Sequence, residues 1–230
     1  MLTYQNRSEF IRSIAAVVMW AVFVSFAGAS YAQAPLPGGK AEPIPKHQAE
    51  PPEKPYHKRV LEEPPDSPLK RAEVLANLYA LLATAKNAEV GTEIAGVIER
   101  IWLFGHGDTI AVLMQRATLA LSQKDYALAQ RFLDAVVDLA PDYAEGWHQR
   151  AVVHYSRNEF ARALGDLRRV LALDENHYKA LEGLSRMLEE TGQKAGALAA
   201  HRKLMSVHPF WPDADQRLRE LERETEGQGI

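Results

Sequence analysis

The stretch Trp147-His148-Gln149-Arg150-Ala151-Val152-Val153-His154-Tyr155-Ser156-Arg157-Asn158-Glu159-Phe160-Ala161-Arg162-Ala163-Leu164 decides the fold. Trp147, Ala151 and His154 recur at the spacing of one helical face. Arg157-Asn158-Glu159 breaks the run, and Asn158 tolerates the left-handed backbone such a turn needs. Phe160, Ala163, Leu164, Leu167, Val170, Leu171 and Leu173 then mark a second helix. Outward from this pair the same residue types return every 34 positions. Leu113, Trp147 and Leu181 form one such series, and Ala117, Ala151 and Ser185 another. Ala129, Ala163 and Ala197 form a third, and Leu139, Leu173 and Val207 a fourth. Pro141 and Pro209 lie two periods apart with Glu175 between them. A fixed period of this length predicts an all-α stack of helix pairs. The small residues mark where paired helices approach most closely, and a larger side chain there costs about 1–3 kcal/mol.

The rest of the chain frames this array. Residues 1–32 read as a secretory signal. Arg7 and Arg12 precede the apolar run Ile14 to Ala27, and Ser30-Tyr31-Ala32 offers a cleavage site before Gln33. The apolar run is shorter than the roughly 20 residues of a membrane-spanning helix. The alternative is an uncleaved anchor, and in both cases the helical part is exported, to the periplasm if the source is bacterial. Ten of the 13 prolines fall between Pro35 and Pro68, so residues 33–66 are expected to be an extended, solvated linker with His47 and His57 exposed. Residues 67–109 read as a diverged helical pair capping the array from its N-terminal end. Ser67-Pro68 is its start signal and Gly105 its end. Three regular units follow at 110–143, 144–177 and 178–211. Residues 212–230 suit a polar C-terminal capping helix and tail, with Asp213 at its start.

Composition excludes several functions. No cysteine is present, which removes disulfides, thiolate metal sites and cysteine nucleophiles. The formal net charge is −3 and the pI about 6.3, without the basic stripe expected of a nucleic-acid interface. Gly105-His106-Gly107-Asp108-Thr109 places His and Asp in a turn, but no nucleophile accompanies them. Asp108 or Thr109 is expected to cap the next helix instead. His148 and His154 are six apart on a helix and diverge, so no metal site is assigned. No phosphate-binding Gly-rich loop occurs. No cofactor-binding, metal-binding or catalytic residue is therefore assigned.

The pattern resembles the tetratricopeptide repeat (TPR) family. Trp147, Ala151, Phe160, Ala163 and Leu173 carry the resemblance in the middle unit. Leu113, Ala117, Tyr126, Ala129, Leu139 and Pro141 carry it in the first, and Leu181, Leu184, Gly192, Ala197, Val207 and Pro209 in the third. Arg150, Glu175 and Lys194 depart from it. The resemblance implies a right-handed superhelix of antiparallel helix pairs with a concave groove lined by the first helix of each pair. Such proteins bind peptides or partner proteins, and their repeats are not catalytic. The stripe beside the packed one supplies the candidate groove residues: Met114, Thr118 and Leu121, then His148, Val152 and Tyr155, then Glu182, Arg186 and Glu189. Apolar anchors followed by a charged end suit a helix or extended peptide. The expected function is a non-catalytic interaction scaffold of the cell envelope, taking a segment of another protein. An accessory subunit of a periplasmic enzyme or envelope-assembly complex is the alternative, and an enzyme the third. No nucleic acid is expected as a partner, and the membrane only through an uncleaved signal.

Overall fold

The computed structural model describes residues 54–63, 65–103 and 106–226. The signal segment, most of the proline-rich stretch, Gly105 and the last four residues lie outside the described residues. Ten helices and no strand occur among the described residues. None of these helices is long and apolar enough to cross a membrane.

Three helix pairs form the array. They are α4 (Asp108–Ser122) with α5 (Tyr126–Leu139), α6 (Ala144–Ser156) with α7 (Phe160–Leu173), and α8 (Tyr178–Glu190) with α9 (Lys194–Val207). The 34-residue period is written into the backbone of two kinds of turn. Within each pair, Lys124, Asn158 and Gly192 take the left-handed conformation, at φ 59°, 60° and 76°. The next amide then reaches back five residues: Asp125 to the Ala120 carbonyl, Glu159 to His154, Gln193 to Leu188. This helix ending satisfies carbonyls that the last turn leaves open. Between pairs, Ala140, Asp174 and His208 each donate their N–H four residues back at 2.8 Å, and the chain then turns into the next helix.

Packing follows the small residues. Ala117, Ala129, Ala151, Ala163 and Ala197 are all buried. Ser185 stands at an alanine position, and its hydroxyl is accommodated by donating to the Ala197 carbonyl of the facing helix at 3.0 Å. Gly146 marks the closest approach between pairs, because a Cβ there would lie 2.7 Å from Val136 Cγ1 on α5. Arg150 forms a fork rather than a packing fault. Its Nε and Nη2 donate to the two Asp166 oxygens, each at 2.8 Å, and Nη1 donates to Asp134 at 3.1 Å. One guanidinium thus ties α5, α6 and α7 together.

The expected linker through residue 66 gives way at its end to a short helix, α1 (Tyr56–Glu62), started by Pro55. The seven residues fit between flanking prolines, and Tyr56 and Val60 add to an apolar cluster with the N-terminal pair. His57, expected in solvent, is buried and pairs with Glu93 at 3.2 Å.

The helical pair itself is present as α2 (Pro68–Ala83) and α3 (Ala88–Leu103), with Ser67 Oγ accepting from the Lys70 amide. Its expected place as a cap on the first unit is corrected. Leu78, Leu82, Ile94, Ile98 and Trp102 share one core with Tyr178, Leu181, Leu204 and Val207 of α8 and α9. The α2–α3 hairpin lies along the edge built by the inter-pair turns. His106 stacks on Tyr143 of the first turn, with centroids 4.0 Å apart. Trp102 stacks on His177 of the second at 3.9 Å. Gly91 faces Phe210 of the third. Tyr143, His177 and Trp211 are themselves 34 apart, so one ring per period meets or flanks the hairpin.

The closing helix α10 (Ala214–Glu226) packs through Leu221 and Leu218 onto α9. Its remaining face is polar, as the end of a stack requires.

Candidate peptide-binding groove

Helices α6 and α8 are equivalent first helices of consecutive pairs, so equivalent stripes run side by side. Between them lies a cleft of about 140 Å³. Ala151, Gly183 and Met187 supply its small and apolar surfaces, and Val152 and Tyr155 border it from α6. Lys179, Glu182 and Arg186 border it from α8, and His148 also lines it. Glu182 and Arg186 are one turn apart on α8 and form an ion pair. Tyr155 donates its hydroxyl to Glu190 at 2.6 Å, which raises the phenol's pKa and holds the ring across the gap. The same two α8 residues also line a second cavity of about 480 Å³ toward α10, where Glu189 pairs with Arg217.

The structure therefore brings His148, Val152, Tyr155, Glu182 and Arg186 to one cleft, with Glu189 in the adjoining cavity. The first-unit set is not brought there. Met114 is a core residue between α4 and α5, packed with Ile110 and Leu133. The expectation that it faces the groove is overturned, because on α4 the register puts Ile110, Met114 and Ala117 on the packed face. Leu121 is half-buried against that same core, and Thr118 is exposed, its hydroxyl donating to the Met114 carbonyl.

No family model matches the chain. A TPR repeat-containing protein from Rhizobium etli is 28% identical over 153 residues, covering 66% of this chain and 75% of that protein. The periodic turns and buried alanines already described make the fold a TPR-like solenoid of helix pairs. Similar solved structures include the first TPR of Spaghetti (RPAP3) bound to an HSP90 peptide, at 20% identity and a TM-score of 0.49. It covers 53% of this chain and 98% of that one. The Arabidopsis OM64 TPR domain is 19% identical with a TM-score of 0.49, over 52% of this chain and 99% of its own.

Behind the groove lies a buried cluster that the sequence reading missed. Glu145, His148 and His177 bring potential ligand atoms within 4.8 Å of one another. Glu145 and His148 share α6, but His177 arrives from the next inter-pair turn, so no local spacing reveals the three together. His177 Nδ1 accepts the Ala180 amide as the N-cap of α8. Its proton therefore sits on Nε2, which donates to Glu145 Oε2 at 3.1 Å. A metal would need that Nε2 lone pair, and taking it would set Nδ1–H against the Ala180 N–H. The donor set fits a hydrogen-bond network better than a metal centre. His148 Nδ1 lies 3.3 Å from the same carboxylate oxygen, at ion-pair distance but without hydrogen-bond alignment. Burial works to raise the Glu145 pKa, but the two histidines outweigh it and hold the carboxyl below the usual range. His148 thus closes one end of the groove as part of this network and is not a free recognition residue.

Two further histidines sit in packed positions. His154 Nδ1 contacts Glu159 at 2.7 Å inside its own pair. His106 packs on Tyr143, and Gly107 is the N-cap of α4, with no side-chain cap, so Asp108 lies in the first turn. Neither Asp108 nor Thr109 is the N-cap.

Proposed function

We propose that the protein is an exported, non-catalytic interaction scaffold of the cell envelope that takes a segment of another protein into the α6–α8 groove. The observation that carries this reading is the meeting of Val152, Tyr155, Glu182 and Arg186 around one cleft with an apolar floor. Val152 is exposed at the groove, where it offers an anchor for an apolar side chain. Glu182, Arg186 and Lys179 offer charges of both signs to groups flanking that anchor. An apolar residue bracketed by polar ones is the pattern such a surface selects. Export rests on the signal pattern of residues 1–32.

The test uses the full chain expressed with its signal. N-terminal sequencing of the mature protein is expected to begin at Gln33. Capture from an envelope extract is then compared between the native chain and Val152→Glu/Arg186→Glu. The double variant is expected to lose specific partners while keeping its helical signal. Identical partner sets for both proteins refute the groove assignment, and recovery of the unprocessed chain from the cytoplasm refutes export.

A further inference from the structure

The seam between the α2–α3 hairpin and the edge of the solenoid adds stacked rings to its aliphatic core. Across it His106 stacks on Tyr143 and Trp102 on His177. Tyr178 donates its hydroxyl to the Ala95 carbonyl of α3, and its ring meets His208 and Trp211 on the solenoid side. Three of these rings are histidines, one at each inter-pair turn or facing it. The seam is also underpaired. Among the described residues, four buried side-chain atoms have no hydrogen-bond partner in the protein: His106 Nδ1, Tyr143 Oη, His148 Nδ1 and His208 Nδ1. Three lie in the seam, and the fourth belongs to the ring behind His177, at 4.9 Å. A buried polar group without a partner weakens the closed state.

We propose that the α2–α3 hairpin is an acid-released strap, closed over the inter-pair edge at neutral pH and lifted when its three seam histidines take up protons. Each histidine is better accommodated neutral than charged. His106 faces Arg71 on α2 and Asp142 on the turn. Burial lowers its pKa, Arg71 lowers it further, and Asp142 opposes. His208 faces Glu99 on α3 and the rings of Tyr178 and Trp211. Burial lowers its pKa against its own backbone hydrogen bond and Glu99. His177 faces Trp102 on α3, Glu145 and His148 on α6, and Asp174 on its own turn. Burial outweighs Glu145, and His148 adds to the lowering. A base whose pKa is depressed in the closed form contributes stability above its ordinary value, and that stability is lost as pH falls below it. The window therefore begins near 6.5, the ordinary histidine value, and lies well above the range where the carboxylates protonate.

Lifting the strap reaches the groove through Lys179. Its ammonium bonds Glu99 on α3 at 2.8 Å and also lines the α6–α8 cleft. Release of α3 frees that charge for an acidic group on a bound segment.

The test is hydrogen exchange of the full chain between pH 7.5 and 5.5, corrected for intrinsic exchange and read helix by helix. A histidine that stays neutral when closed and titrates near 6.5 when open multiplies the open population by about tenfold at pH 5.5. Protection of α2 and α3 is expected to fall by about that factor or more, while α5 and α7 hold theirs. In His106→Leu/His208→Phe the fall is expected to shrink. Loss of protection in all helices at the same pH, or unchanged protection of α2 and α3, overturns the proposal. So does a double variant with the native pH profile. Should that variant not fold, the native profile decides alone.

Discussion

Arg150 stands where the next unit carries Leu184, and the structure gives that exchange a measurable consequence. Replacing Arg150 by Leu restores the apolar residue but strands Asp166. That carboxylate has a side chain only 8% exposed, and its other basic neighbour is His154, whose Nε2 is 3.7 Å away. Breaking a fully buried pair from one side costs about 3–5 kcal/mol. The Arg150 side chain is 18% exposed and Asp134 is 46% exposed, so part of the fork is screened by water and the cost should be smaller. Burying a leucine returns up to about 1.5 kcal/mol. The expected net loss for Arg150→Leu is about 1.5–3 kcal/mol. Asp166→Leu should cost less, about 1–2 kcal/mol, because Arg150 keeps Asp134. In Arg150→Leu/Asp166→Leu the stranded charge is gone, so the double variant should be no worse than Arg150→Leu alone. Urea unfolding at constant m-value measures all four corners of the cycle. Additivity within about 0.5 kcal/mol refutes the claim that the fork couples α6 to α7.

Other positions separate the packing claims. Gly146→Ala drives a Cβ toward Val136, so it should destabilise by about 1 kcal/mol even after the better helix propensity of alanine is credited. Thermal unfolding of Gly146→Ala/Val136→Ala beside its single variants shows whether the clash is relieved. Lys124→Gly should raise stability by about 0.5–1 kcal/mol, because the exposed lysine sits at φ 59° where a Cβ is strained, and urea titration checks the sign. Leu119→Glu should leave the chain folded, whereas the equivalent Val153→Glu buries a carboxylate among α4 and α5 and should unfold it. Circular dichroism of the two variants tests that contrast.

The array was legible because its determinants are local and periodic. Small residues at 117, 129, 151, 163 and 197 can only mean close helix approach. Asn158 and Gly192 announce left-handed turns chemically. Lys124 does the same geometric work without a chemical signature, and only its place in the period gives it away. The groove stripe was readable on α6 and α8, whose registers agree. It failed at Met114, although α4 keeps the same register: the equivalent His148 is buried too, so this position packs on both helices and opens only at Glu182. His57 and α1 were hidden by composition: prolines at 55, 64 and 65 suggest an extended chain, yet seven residues fit between them as two helical turns. The Glu145–His177 pair and the hairpin seam were hidden for another reason. Their partners lie 32 or more residues apart, and no local pattern encodes which long-range surface an amphipathic hairpin selects. The rings at 143, 177 and 211 were a signal in period that no expectation used.

The placement of the hairpin follows from what each surface offers it. An added repeat would cover the outer face of α4, where Val112 and Leu119 are 52% exposed. The equivalent positions on the later first helices, Gly146 and Val153, then Ala180 and Met187, are buried. Gly146 and Val153 pack against the preceding pair. Covering α4 in the same way needs a second helix in phase with α5 and α7, beginning 34 residues before Tyr126. Helix α3 begins at Ala88, four residues early, which displaces it by about 6 Å along its axis. Its stripe of Ile94, Ile98, Ile101 and Trp102 instead meets a row of rings repeated at the solenoid's own period. Trp102 there gains a stacked partner and, through Nε1, a hydrogen bond to Tyr79, whose hydroxyl donates to Asp174. The outer face of α4 offers two aliphatic side chains, no ring for Trp102 and no acceptor for the Tyr79 hydroxyl. A buried tyrosine needs a partner for its hydroxyl as well as its apolar contact, so the edge satisfies the hairpin where the end of the stack does not.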